Sequence, residues 1–181
     1  MDNMQEEVVL VNERDEVLGR MEKLEAHRQG LLHRAFSVFI FHSNGSLMLQ
    51  RRSSTKYHSG GLWTNTCCGH QRPEEVIGDA AARRLWEEMR IDPELIPRFT
   101  FTYRAELDGG LVEHEIDHVY FGTYDGGADP DPFEADTWRY VRPADIDSEL
   151  EAHPQRYTVW FRLCWNEVKQ HLAPIDRSLH P

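Results

Sequence analysis

Cys67-Cys68-Gly69-His70-Gln71-Arg72-Pro73-Glu74-Glu75, continuing through Ala80-Ala81-Ala82-Arg83-Arg84-Leu85-Trp86-Glu87-Glu88-Met89 to Ile91, is the stretch on which the fold turns. Its second half predicts a helix. Pro73 suits a first turn, Glu74 and Glu75 lie where the helix dipole favours anions, and the alanines, Leu85 and Met89 are good helix formers. Arg83 and Arg84 fall one turn before Glu87 and Glu88, so Arg83/Glu87 and Arg84/Glu88 each share a face. On most helices such pairs are surface salt bridges worth roughly 0.5 kcal/mol or less each. What lies upstream suggests more: Arg51-Arg52, Lys56 and the aromatic-polar run Trp63-Thr64-Asn65-Thr66 precede the two thiols. Cations, thiols and an acidic helix in one stretch look like a site for a metal-bound diphosphate with a thiol beside it.

Outward from this stretch the chain alternates strands and helices. Residues 8–11 and 17–18 read as an opening hairpin, and residues 22–28 as a helix stopped by Gly30, which places His27 near its end and His33 just beyond the break. Residues 36–41 form an apolar β run, turned by residues 43–46 into 47–49, so that the second strand delivers Arg51 and Arg52 at its end. After the helix, Pro93 and Pro97 punctuate a loop, residues 99–107 alternate as a strand, and Asp108-Gly109-Gly110 turns the chain. In the strand over 111–124, a side-chain period of two puts Glu113, Glu115 and Asp117 on one face and Val112, His114, Ile116, His118 and Tyr120 on the other. Three carboxylates in line suit a solvated edge; alternatively, a metal removes the repulsion between them. A loop over 126–132, a strand over 138–141 and helices over 143–151 and 154–172 complete the chain, with a frayed tail from Pro174.

A length of 181 residues predicts one domain, large enough to fold without disulfides or a structural metal. Lys+Arg 20 against Asp+Glu 31 gives a net charge of −11, which argues against nucleic acid or an anionic membrane as partner. Three cysteines, two of them adjacent, make no disulfide framework. The first residues lack the basic and apolar regions of a signal peptide and no apolar run approaches a membrane span, so the cytoplasm is expected. The ligand inventory offers His27, His33 and His70 as imidazoles with Glu113 and Glu115 as carboxylates, a donor set suited to Zn²⁺, Mn²⁺ or Fe²⁺ at higher coordination than a closed structural zinc site.

The spacing of the central stretch resembles the Nudix box. Gly69 is followed after five residues by Glu75, then after seven by Arg83, and Glu87-Glu88 close the set. Two positions depart from that pattern: Arg84 stands where the box has a glutamate and Arg90 where it has a glycine. A cation within the acidic cluster suits holding a diphosphate better than clamping several metal ions to hydrolyse one. Within that superfamily the chain resembles the type 1 isopentenyl-diphosphate isomerases. The residues that carry the likeness are Glu22-Lys23 with His27, His33, Arg51-Arg52 with Lys56, Trp63-Thr64-Asn65 leading to Cys68-Gly69-His70, Tyr103-Arg104, Glu113-His114-Glu115 and Trp160, spanning about three-quarters of the chain.

The resemblance implies an α/β (α+β) Nudix-like fold, mixed β-sheets flanked by helices, in one compact domain over 1–181 whose first 34 residues supply metal-site histidines. It implies a tightly bound Mn²⁺ or Zn²⁺ on His27, His33, His70, Glu113 and Glu115. A Mg²⁺ would sit with the diphosphate on Glu88 and the main-chain carbonyl of Cys68, and Lys23, Arg52, Lys56 and Arg84 would form the anion pocket. The implied reaction is a 1,3 shift of a double bond between homoallylic and allylic diphosphates. Cys68 and Glu115 are then acid and base in an order left open, Trp160 is the aromatic face, and Tyr103 is a hydrogen-bond donor on the Glu115 side. Counting from Trp63-Thr64-Asn65 and back from Gly69-His70 puts the family's catalytic cysteine on Cys68, not Cys67. A monomer or weak homodimer is expected. A Nudix hydrolase and a non-catalytic metal-binding module are the competing expectations.

Overall fold

The computed structural model describes residues 6–172; the tail expected to fray from Pro174 lies outside them. In chain order its elements are β1 (Glu7–Val11), β2 (Val17–Glu22), α1 (Lys23–Gln29), β3 (His33–Phe41), β4 (Leu47–Arg52), β5 (Trp63–Thr64), β6 (Cys67–Gly69), α2 (Ile77–Met89), β7 (Ile96–Glu106), β8 (Val112–Thr123), β9 (Ala135–Val141), α3 (Pro143–Ala152) and α4 (Val159–Gln170). Among the described residues these strands form one mixed sheet, in which β3 and β8 run parallel and the other pairings between named strands are antiparallel.

Strand β3 is the hub. It pairs with β8 along its whole length on one edge and with β1, β6 and β4 in turn on the other. Being covered on both faces, it reads from Ala35 to Phe41 as an apolar run interrupted only by Ser37. Its alternation divides that run between two cores: Phe36, Val38 and Ile40 pack with Ala80, Ala81, Leu85 and Met89 of α2, while Phe39 and Phe41 pack with Phe161, Trp165 and Val168 of α4. Burying each of these large side chains contributes roughly 1.5–3 kcal/mol, so β3 holds a helix on either face of the sheet.

The short helix α1 owes its bounds to its ends. The Glu22 carboxylate accepts from the backbone N–H of Leu24 and Glu25, and Gly30, at φ 62°, closes the C-terminus in the left-handed conformation that glycine adopts without strain. This fixes His27 in the last turn and lets His33 open the next strand.

Three expectations are corrected and one alternative is decided. α2 begins at Ile77, not at Pro73, because Glu75 is folded back as a clasp. Its carboxylate accepts from Arg83 Nε at 2.7 Å, Arg83 Nη2 at 2.9 Å and the Arg72 N–H at 2.9 Å, with Glu74 at φ 68° making the turn. Pro97 belongs to β7 rather than to a loop; β7 pairs only with β8, and a register shift at Pro97 absorbs the missing donor. The last helix starts at Val159, not at Pro154, because Tyr157 bridges to Trp63 and the Thr158 N–H bonds the Trp63 carbonyl, holding that segment extended. Of the two alternatives for the carboxylate row of β8, the solvated edge is excluded: between β3 and β7, Glu113, Glu115 and Asp117 are all buried.

Candidate active site

Four segments converge on one polar cluster. His27 from α1, His33 from the first position of β3, His70 from just beyond β6 and Glu115 from β8 bring one ligand atom each within 4.8 Å of one another. Local bonds aim the imidazoles. His27 Nδ1 donates to the Lys23 carbonyl at 2.6 Å and His33 Nδ1 to the Leu31 carbonyl at 2.8 Å, so both present Nε2 inward. A ring nitrogen tied to a carbonyl is how a metal-binding histidine is usually oriented. His33 Nε2 is fully buried and has no hydrogen-bond partner, at 3.4 Å from Glu115 Oε1, whereas His70 Nε2 donates to that oxygen at 2.8 Å. An orphaned imidazole nitrogen beside a carboxylate fits a divalent cation. Glu113 stands at the border of the cluster, its Oε2 3.2 Å from His27 Nε2.

The electrostatics of this group are split. Burial by itself raises the Glu115 carboxyl, but His33 and His70 outweigh it and hold Glu115 well below the usual carboxylate range. Burial and the charge of Glu115 push Glu113 up. Burial lowers His70 to about 3, while His27, despite its burial, is raised by Glu113.

Beside the cluster lies a cavity of about 430 Å³, lined by Cys68, Tyr103, Glu113, Glu115, Asp117 and Trp160 among others. Tyr103 OH donates to Glu115 Oε2 at 2.6 Å. The two thiols part company in β6, where Cys67 opposes Val38 and is buried in the α2 core, while Cys68 opposes Ser37 and borders the cavity. Burial raises Cys68 to about 12, so it is a neutral thiol at physiological pH. The run Trp63-Thr64-Asn65-Thr66 acts from behind. Trp160 Nε1 donates to Thr64 Oγ1 at 2.9 Å, Thr64 donates to Asn65 Oδ1 at 2.8 Å, and Asn65 Nδ2 donates to the Cys67 carbonyl at 2.7 Å. One buried chain of hydrogen bonds thus sets both Trp160 and β6.

A second cavity of about 610 Å³ shares Lys23, Arg52, His58, Cys68, Gly69 and His70 with the first, so the two adjoin. Here Lys23, Arg52, Lys56 and Arg84 come together with Glu88. Arg84 reaches Glu88 at 2.7 Å, Glu87 at 2.9 Å and Glu134 at 3.2 Å, and Lys56 reaches Glu134 at 2.7 Å. Although burial opposes its charge, Glu88 and Glu134 keep Arg84 protonated. Gln50 Nε2 holds the other Glu88 oxygen at 3.0 Å, and Arg52 lies over the Trp160 ring at 5.3 Å.

All the singled-out residues His27, His33, His70, Glu113, Glu115, Cys68, Tyr103, Trp160, Lys23, Arg52, Lys56, Arg84 and Glu88 thus border these two cavities or the cluster. Arg51 and His114, which flank them in sequence, turn elsewhere: Arg51 toward Asp136 at 3.6 Å, and His114 Nδ1 to the Gly30 carbonyl at 3.0 Å. Three further residues join the site without having been singled out by the sequence. Glu134 enters from the loop before β9, Asp117 lines the first cavity with Oδ2 on the Ser37 hydroxyl at 2.7 Å and Oδ1 unpaired, and His58 lines both cavities. Only Asp117 carried a signal, its parity with Glu113 and Glu115. Burial, then the charge of Glu115, pushes Asp117 well above the carboxylate range, and burial with Arg52 lowers His58 to about 2.

Residues 31–163 match the NUDIX domain family. The chain is 49% identical over 162 residues to the isopentenyl-diphosphate Delta-isomerase of Pectobacterium atrosepticum, covering 90% of each chain. It is 48% identical over 165 residues to isopentenyl-diphosphate Delta-isomerase 2 of Aromatoleum aromaticum, covering 91% of this chain and 87% of that one. Among solved structures, the MutT protein of Methanosarcina mazei superposes with a TM-score of 0.63 at 20% identity, over 79% of this chain and 96% of that one, a likeness of fold.

Proposed function

The chain belongs to the isopentenyl-diphosphate Delta-isomerase family of Nudix-domain proteins, and from that membership we infer that it interconverts isopentenyl and dimethylallyl diphosphate. The observation that carries the mechanism is that two cavities share a wall: a partly apolar one holding Cys68, Glu115, Tyr103 and Trp160, and a charged one holding Lys23, Arg52, Lys56 and Arg84. A five-carbon diphosphate needs both compartments. The cations bind the diphosphate through charge-assisted hydrogen bonds and orient its tail toward Cys68.

Isomerisation adds a proton at the terminal alkene carbon and removes one from the allylic carbon. Cys68 and Glu115 carry these two protons, with Tyr103 OH holding the Glu115 oxygen in place. Between the two transfers positive charge gathers on the tertiary carbon, and the Trp160 ring offsets it while the buried wall keeps water out. His27, His33, His70, Glu113 and Glu115 would hold a tightly bound Mn²⁺ or Zn²⁺, and Glu88 with the Cys68 carbonyl a Mg²⁺ that arrives with the diphosphate. When bound, these cations tune the Glu115 carboxyl and neutralise phosphate charge. Arg84, in the place of a Nudix carboxylate and bonded to Glu88 and Glu134, occupies ground that a cluster of hydrolytic metal ions would need. Residues 1–34 serve as an extension that brings His27 and His33 to the domain, the protein works in the cytoplasm, and it acts as a monomer or weak homodimer. Among the described residues no helix is long and apolar enough to cross a membrane.

The test is to incubate pure protein with isopentenyl diphosphate and Mg²⁺ and follow the alkene resonances by NMR. Appearance of dimethylallyl diphosphate is expected; release of phosphate without it would sink the isomerase and revive the hydrolase.

A further inference from the structure

The loop over residues 53–62, between β4 and β5, is built tightly enough to present a side chain. Its neck is closed by Arg52 N–H to the Leu62 carbonyl at 2.9 Å and Gly61 N–H to the Arg52 carbonyl at 3.0 Å. Inside it Ser59 holds φ 51°, and a Cβ at Gly60 would stand 3.0 Å from the Ser54 carbonyl oxygen and 3.2 Å from those of Ser53 and Lys56, so only glycine fits. A non-glycine residue at positive φ is a local strain that the surrounding bonds must hold in place. What the loop presents is His58, buried at 9% exposure between the two cavities.

Both ring nitrogens of His58 have an assignable task. Nε2 faces Glu113 Oε1 at 3.7 Å, a separation that a small side-chain shift turns into a hydrogen bond, while the other Glu113 oxygen is met by His27 Nε2 at 3.2 Å. A carboxylate only accepts, so Nε2 bears the hydrogen, and Nδ1 is then free to accept from the Ser59 hydroxyl at 3.4 Å. The ring is seated edge-on to Trp160, with centroids 6.1 Å apart, and its own carbonyl accepts from Arg52 Nη2 at 3.4 Å. A chain of contacts therefore runs Ser59–His58–Glu113–His27.

We infer that His58 is a positioning residue for Glu113: it holds the carboxylate oxygen turned away from His27, and so sets how tightly the histidine cluster grips a divalent cation. This rests on His27, His33 and His70 being a metal site, as proposed above. Groups that orient a ligand in this way typically change metal affinity 10–100-fold when removed.

The test measures metal affinity rather than turnover. The metal-stripped full chain and its variants are titrated with Zn²⁺ against a chromophoric chelator, and with Mn²⁺ by the loss of the free-ion EPR signal. His58→Ala and His58→Phe, the second keeping a ring against Trp160, are expected to weaken binding about 10–100-fold. His58→Gln, whose amide can donate to Glu113, should recover most of that loss. Unchanged affinity in His58→Phe, or His58→Gln as weak as His58→Ala, overturns the inference. His27→Ala separates the two levels: if it too binds as tightly as the parent, the metal site itself is misplaced, whereas loss in His27→Ala without loss in His58→Phe refutes His58 alone.

Discussion

Replacing Thr64 by valine keeps the side chain's shape and removes one hydroxyl. That hydroxyl accepts from Trp160 Nε1 at 2.9 Å, lies 2.9 Å from the Thr158 hydroxyl and donates to Asn65 Oδ1 at 2.8 Å, all in a wall where Thr64, Asn65 and Thr158 have no exposure. The valine leaves the indole N–H, the Asn65 oxygen and the Thr158 hydroxyl without their partner, and each orphaned buried group costs roughly 1–3 kcal/mol. The expected loss is about 4 kcal/mol, which for a chain of this length lowers Tm by about 10 °C. Because the indole loses its anchor while the cation pocket is untouched, kcat should fall well below the parent with KM near unchanged. Thermal denaturation by circular dichroism and steady-state kinetics below 25 °C read the two effects. Thr64→Ser, which keeps the hydroxyl, serves as the control. A Thr64→Val protein with parental Tm and kcat would refute the idea that this buried chain sets Trp160.

The other expectations are shorter. Cys68→Ala should all but abolish isomerisation while leaving substrate binding intact, and Cys67→Ala should cost only packing; mass spectrometry after treatment with an epoxide of isopentenyl diphosphate should find the label on Cys68 or Glu115, and a label on Cys67 would move the register by one. Stripping tightly bound metal should abolish turnover, with Zn²⁺ or Mn²⁺ restoring it better than Mg²⁺ alone; equal rescue by Mg²⁺ would count against a separate histidine site. Glu134 is lowered to about 2 from 4.5, burial opposing and Arg84 and Lys56 prevailing, so its stabilisation is full above 4.5 and is lost as pH falls through about 2. That shift corresponds to roughly 3 kcal/mol at neutral pH. The Tm gap between parent and Glu134→Gln should therefore be wide at pH 7 and narrow toward pH 2, and a pH-independent gap would remove the carboxylate's charge as the cause.

Where the sequence could be read and where it could not follows from the reach of each interaction. The helix pairs Arg83/Glu87 and Arg84/Glu88 and the parity of Glu113, Glu115 and Asp117 are set by backbone periods of 3.6 and 2, and both stand in the structure. The start of α2 is not legible in the sequence because Glu75 is claimed by Arg83 eight residues on, a bond that no local propensity encodes. The start of α4 is equally hidden because Trp63, far away in the chain, holds Thr158 in an extended form. Glu134 and His58 arrive on loops, and nothing in a run such as Pro132-Phe133-Glu134 or Tyr57-His58-Ser59 states which cavity a loop will face. The convergence of His27, His33 and His70 rests on the likeness of the chain to its family, since a separation of six positions between the first two fixes no geometry.

The strand β8 sits between β3, with which it runs parallel from His33↔Glu115 to Phe41↔Thr123, and β7, with which it pairs from Phe121 back to Val112. Its alternation is therefore clamped from both edges, and that has a bearing on how such a gene can change. Loss or gain of one codon between Leu111 and Asp117 would turn Glu113 and Glu115 toward the opposite face and bring His114 inward, exchanging two anions at the cluster for an imidazole. Point replacements along the outer face leave this frame intact. Length variation among descendants of this chain should therefore collect at the Asp108–Gly110 turn, where glycines already take the slack, and be purged from the strand beyond it.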